Sequence, residues 1–102
     1  MEMNGSMEVV TFQMVEGTRR EQVLDGIRSL DQFYSGAAGY GGMQAAQDNQ
    51  TQHWTLVLNW DSPESEKEAS AAMVGSERTK GFTQLVVPQT VIKKIYTCYC
   101  AL

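Results

Sequence analysis

Residues 54–60, WTLVLNW, constrain this 102-residue chain more than any other stretch. Side chains alternate across a strand, so Trp54, Leu56, Leu58 and Trp60 share one face and Thr55, Val57 and Asn59 the other. The strand is expected to span Thr51 to Trp60, with His53 on the second face near the turn. Asp61-Ser62-Pro63 follows at once and starts a helix. Ser62 is a good N-cap, and Pro63 suits the first helical position. A strand with two tryptophans on one side, running straight into a helix, asks for that helix to fold back over the tryptophan face.

The rest of the chain supplies matching pieces. Met7 to Val15 is rich in β-branched and aromatic residues and predicts a strand. Thr18 and Glu21 have capping-box spacing. Val23, Leu24, Ile27, Leu30 and Phe33 or Tyr34 recur at helical spacing, which predicts a helix over Arg19–Tyr34. Gly26 weakens it by about 1 kcal/mol relative to alanine, or lets a neighbour approach closely. Tyr40 to Asp48 reads as a glycine-softened strand, joined by the Asp48-Asn49-Gln50 turn to the next in a hairpin. After Pro63, Ala69, Ala72 and Met73 make a thin apolar stripe. Glu64, Glu66 and Glu68 read as a solvated helix start, and Gly75 ends the helix. Ser76 caps a short third helix anchored by Phe82, Leu85 and Val86. A final strand follows Pro88.

Strand, helix, strand, strand, helix, short helix, strand is the order of a ferredoxin-like α+β sandwich, a four-stranded antiparallel sheet with helices on one face. Residues 7–102 are expected to form a single domain, with 1–6 a short tail or expression remnant. In the last strand Val91, Ile95 and Tyr99 point one way and Ile92, Tyr96 and Cys98 the other. Helices cover one sheet face only, so a second copy is expected over the other, giving a homodimer.

Several function classes are disfavoured. Net charge is −4, from 8 basic and 12 acidic residues. No basic patch interleaves with aromatics, against nucleic-acid binding. No apolar run is long enough to span a membrane, and no signal sequence begins the chain, so the expectation is cytoplasmic. Cys98 and Cys100, two apart on an extended chain, read as free thiols in a reducing compartment. With His53 alone beside them, no metal set forms. The glycines of GAAGYGG lie between a helix and a strand, the wrong order for a phosphate loop.

The stretch AGYGGMQAAQDNQTQHWTLVLNWDSPESEKEASAAMVGSERTKGF resembles the core of the antibiotic biosynthesis monooxygenase-like family of the dimeric α+β barrel superfamily. The likeness rests on Gly39-Tyr40 opening a strand, the hairpin, Trp60 closing the third strand, the Ser62/Glu64 helix start and the Ser76…Phe82 segment. It implies two sheets paired as a barrel, helices outside, and a pocket between helices and sheet in each subunit. Some members are cofactor-independent oxygenases of polycyclic phenols; others degrade haem or isomerise small metabolites. The expected activity is therefore a cofactor-free, monooxygenase-like reaction on a small aromatic or quinone-like molecule. A non-catalytic ligand-binding or structural barrel, or an isomerase or cyclase, is the alternative.

Three departures matter. Oxygenase and haem-degrading members carry a first-strand asparagine facing the pocket beside the tryptophan, and the corresponding stretch here, Val10-Thr11-Phe12, has none. The helix histidine that binds haem is absent, so no cofactor is expected. Many relatives place a glutamate two residues before the tryptophan, where this chain has Leu58. The residues carried forward are Trp60 as a pocket wall that orients a ring, and Tyr40 or Thr11 as hydrogen-bond donors. Phe12, Leu58 and Phe82 are expected to line the pocket, and Arg78 to hold an anionic or phenolate group at its mouth. His53 is a natural general base by pKa, but sits on the face opposite Trp60.

Overall fold

The computed structural model describes residues 5–101. Their order is β1 (Ser6–Phe12), α1 (Arg20–Tyr34), β2 (Tyr40–Gln47), β3 (Trp54–Trp60), α2 (Pro63–Met73), α3 (Lys80–Thr83) and β4 (Ile92–Thr97), with a 3-10 turn at Pro88–Thr90 before β4. The sheet is antiparallel, in the order β2-β3-β1-β4. This is the expected ferredoxin-like arrangement, with the two most apolar strands at its centre.

Register decides which side chains meet. Ser6 pairs with Trp60, Glu8 with Leu58, Val10 with Leu56 and Phe12 with Trp54. These residues form the face under the helices, and all but Val10 are buried. Val23, Ile27, Leu30 and Tyr34 of α1, Ala69 of α2 and Phe82 of α3 close the core above them. Gly26 permits this closure. A Cβ there would lie 2.6 Å from Cδ1 of Phe82, so the glycine lets α3 pack directly on α1. In β2 the register shifts between Tyr40 and Met43. Gly42, at φ +100°, takes up the irregularity in a conformation few other residues adopt.

Several boundaries differ from the sequence expectation, each for a local reason. The first strand starts at Ser6, one residue before the expected Met7, and the Cys98 N–H donates to the Gly5 carbonyl. It ends at Phe12 because Gln13–Val15 leave the sheet and bond to Leu85–Val87. Thr18 does not cap α1. Its hydroxyl donates to the Val15 carbonyl, and the Gln22 side chain instead accepts from the N–H of Arg19, the actual N-cap. β3 begins at Trp54, since the Asp48 carboxylate accepts from the N–H groups of Gln50 and Thr51 and holds 48–52 in a turn. The third helix shrinks to Lys80–Thr83, and Ser76 accepts from the Arg78 N–H in a turn before it. Ser62 caps α2 as expected, accepting from the Ser65 N–H at 3.1 Å.

The other sheet face carries no helix. Met7, Val9, Thr11 and Val57 lie there, flanked by Ile92 and Tyr96 of β4, which are 58% and 44% exposed. No helix among the described residues is long and apolar enough to cross a membrane.

Candidate active site

Between the sheet and the helices lies a cavity of about 350 Å³. Its walls are Val10 and Phe12 from β1, Leu58 from β3, Met73 from α2, Phe82 from α3 and Val86 beyond it. Phe12 and Phe82 meet edge to face, with centroids 5.7 Å apart. Glu8, Ser70, Lys93 and Tyr34 reach the same cavity and form its polar side. An apolar chamber with a few convergent polar groups is the ordinary form of a small-molecule site.

The polar side is a compact charge network. Glu8 faces the helices because it shares β1 parity with Val10 and Phe12. Its side chain is 5% exposed. The indole Nε1–H of Trp60 donates to Glu8 Oε1 at 3.1 Å. Lys93 pairs with Val10 across β1 and β4, so it too points under the helices. Its Nζ lies 3.7 Å from Glu8 Oε2 and 2.5 Å from Glu66 Oε2. The Ser70 hydroxyl accepts from Lys93 at 3.2 Å and donates to Glu66 at 2.5 Å. Burial pushes the Glu8 carboxyl above its usual pKa; Lys93 and the Trp60 N–H oppose this, and Glu66 adds to it. Burial, with the nearby Glu8 and Glu66 charges, also raises Tyr34 far above the usual phenol range. Tyr34 is therefore a neutral group at neutral pH.

The structure divides the sequence-predicted residues. Phe12, Leu58 and Phe82 line the cavity. Trp60 does not. It is 3% exposed and stands behind Glu8, packed against Tyr34 and Tyr40 at centroid distances of 5.3 and 5.2 Å. Tyr40 is likewise outside the cavity, its hydroxyl donating to Asp31 Oδ1 at 2.5 Å. Thr11 pairs with Thr55 on the helix-free face, because Phe12 takes the core-facing parity and its neighbour cannot share it. Arg78 is not at the mouth. Its guanidinium lies 5.4 Å above the Phe33 ring. His53 bonds to the Gln13 side chain at 2.6 Å, beside a separate polar groove at the hairpin end.

Glu8, Glu66 and Lys93 were missed from sequence. Glu66 is buried against Lys93, so the expected solvated helix start holds for Glu64 and Glu68 but not for it. The first-strand side chain that meets the Trp60 indole is Glu8, two residues before Val10-Thr11-Phe12. Glu8 is also the cross-strand partner of Leu58.

No protein-family model and no curated protein matches the chain. Solved structures do. SnoaB, a cofactor-independent oxygenase from Streptomyces nogalater, is 12% identical, with 97% of each chain covered and a TM-score of 0.73. A "putative antibiotic biosynthesis monooxygenase" from Bordetella bronchiseptica is 14% identical over 92% of this chain and 96% of that one, at a TM-score of 0.77. A dimeric ferredoxin-like protein of unknown function from Thermobifida fusca is 9% identical over 91% of this chain and 90% of that one, at 0.69. The chain therefore has the ferredoxin-like α+β fold of the antibiotic biosynthesis monooxygenase-like proteins, as its hairpin, Trp60 and Ser62 helix start led us to expect.

Proposed function

We propose that the protein is a cofactor-independent, monooxygenase-like enzyme that oxidises an aromatic or quinone-like metabolite in the cavity between helices and sheet. The observation that carries this reading is a buried carboxylate facing a largely apolar chamber of about 350 Å³. In such chemistry the substrate itself reduces oxygen. An anthrone-type CH₂ loses a proton, and the resulting carbanion gives one electron to O₂. The two radicals join as a peroxide, which loses water to leave a carbonyl. Overall, R₂CH₂ and O₂ become R₂C=O and H₂O, so no further reductant is needed. The protein's part is to hold the ring against the wall that Phe12 and Phe82 form, exclude water and stabilise the anion. Trp60 and Tyr40 act from behind, Trp60 by fixing the Glu8 carboxylate. The unpaired thiols of Cys98 and Cys100 suit a reducing cytoplasm.

The test is oxygen uptake with a panel of anthrones and quinols, comparing wild type with Val86→Trp, which fills the cavity. Uptake by wild type, lost at least about tenfold in the variant, is the expected result. Binding without uptake would move the cavity to the alternative reading, a ligand-binding protein or an isomerase.

We also propose that the helix-free face pairs with a second copy. Ile92 and Tyr96 stand beside Thr11 and Met7 on the face that carries Val9 and Val57, with Lys94 opposite Val9 at the sheet edge, and the Thermobifida fusca neighbour is described as dimeric. Sedimentation at micromolar concentration should give twice the chain mass. A monomer there would overturn the pairing.

A further inference from the structure

We propose that Glu8 is the proton acceptor of the cavity, and that the Glu8–Lys93–Glu66 network selects a neutral hydroxyaromatic over an anionic ligand. This deepens the reading above and rests on the cavity being a substrate site. Glu8 is the carboxylate that reaches the chamber beside the ring-sized space bounded by Phe12 and Leu58. Trp60 takes up Oε1, while Oε2 faces Lys93 at 3.7 Å, too long for a hydrogen bond. That oxygen has acceptor capacity left. Lys93 is held more closely by Glu66 and Ser70.

Charge then decides the ligand. Two carboxylates and one ammonium give the site a net charge of −1. A carboxylate or phosphate on the ligand would add a like charge to a partly dry site whose cation, Lys93, is already paired. A neutral hydroxyl adds none and supplies the donor that Glu8 lacks. In the transfer, the ligand O–H bond breaks and the Glu8 Oε2–H bond forms, and the electron pair stays on the ligand oxygen. The net charge of the site with its ligand is unchanged, and Lys93 lines the same cavity. Lys93 from β4, Glu66 from α2 and the Trp60 N–H from β3 bear on the basicity of Glu8, and Tyr34 from α1, raised in part by the Glu8 charge, faces it as a neutral group. Burial favours the protonated carboxyl, as a proton acceptor requires.

The probe is 4-nitrophenol, whose phenol and phenolate absorb at different wavelengths. 4-Nitroanisole tests shape without a proton to give, and 4-nitrobenzoate tests an anion of similar size. At a pH below the pKa of the free phenol, wild-type protein should bind 4-nitrophenol saturably and show the phenolate band. 4-Nitrobenzoate should bind at least about tenfold more weakly. Glu8→Gln keeps an acceptor for Trp60, and should bind 4-nitroanisole while losing the phenolate band. Glu66→Gln should keep the band and narrow the discrimination against 4-nitrobenzoate. Should Glu8→Gln fail to fold, the wild-type spectrum and Glu66→Gln still decide. Binding without the band, a band that survives Glu8→Gln, or equal binding of 4-nitrobenzoate overturns the proposal. Those results leave the cavity as a ligand site, whereas failure of all three probes to bind removes the site itself. An absence of oxygen uptake bears on the oxygenase reading alone.

Discussion

Replacing Lys93 by methionine is expected to cost about 3 kcal/mol of folding stability at neutral pH and almost nothing at about pH 3. The substitution leaves Glu8 and Glu66 facing each other without their shared cation, with side chains 5% and 7% exposed. Removing one partner of a buried ion pair costs roughly 3–5 kcal/mol. The Lys93 side chain is itself 38% exposed, so its charge is partly solvated and the low end applies. The pH dependence follows from Glu8. Its folded pKa lies above the ordinary value of 4.5. Between those two values the folded chain keeps a proton that the unfolded chain has released. The stability this contributes is complete below the unfolded pKa and is lost as pH rises through the folded one. In wild type Lys93 limits the shift. Without Lys93 the window widens upward, and the variant falls further behind as pH increases. Urea unfolding of both proteins from about pH 3 to pH 8 measures the difference directly. A difference that stays flat across that range would mean that the two carboxylates are not held in a common dry site. Replacing all three residues by apolar ones of similar size should recover most of the loss, because no charge is then left unpaired.

This network shows where sequence reading ran out. The strand over residues 54–60 was legible because its alternation is strict and buries four large side chains on one face. The α2 start was legible because Ser62 and Pro63 act through local backbone geometry alone. Caps and ends that depend on distant partners were less so. Gln13–Val15 looks like strand in sequence, but its hydrogen-bond partners are Leu85–Val87, some 70 residues away. Nothing local to MEVVTFQMV marks the point where one set of partners gives way to another.

The site divides along the same line. Phe12, Leu58 and Phe82 were readable as lining residues because each is the large apolar residue at a core-facing position of its element. Glu8, Glu66 and Lys93 come from three elements, and each looks like a surface charge in its own segment. Parity offered a usable signal. Glu8, Val10 and Phe12 share a face, so a core-facing Phe12 commits a carboxylate to the interior, and an interior carboxylate requires a partner. Identifying that partner needs the β1–β4 register, which sets Val10 opposite Lys93. Thr11 failed as a candidate for the same reason, because a shift of one residue along a strand changes the face.

Truncating Trp60 to alanine is expected to cost about 4 kcal/mol, within the 3–5 kcal/mol typical of a buried aromatic. Three terms contribute. The ring is 3% exposed, so nearly all of its apolar surface leaves water on folding. It sits between Tyr34 and Tyr40, with its plane at 87° to the first and 54° to the second, and both contacts would be lost. Its N–H also donates to Glu8 Oε1, so alanine leaves that buried oxygen without the bond. For a domain of about 100 residues, 4 kcal/mol lowers the melting temperature by roughly 20 °C. It also removes a large share of the roughly 5–15 kcal/mol that holds such a domain folded. Trp60→Phe separates these terms. Phenylalanine keeps a ring against the two tyrosines and deletes the N–H, and the loss should fall to about 2 kcal/mol, the scale of a hydrogen bond to a charged group. That residual should shrink in acid, because a protonated Glu8 loses less when its donor is removed. Thermal melts of the three proteins at neutral pH and at about pH 4 give every quantity needed. If Trp60→Phe costs as much as Trp60→Ala at both values, the ring contributes little beyond its N–H and the aromatic packing argument fails. If Trp60→Phe costs nothing at neutral pH, Glu8 does not depend on the indole, and Trp60 is a core residue with no part in holding the carboxylate.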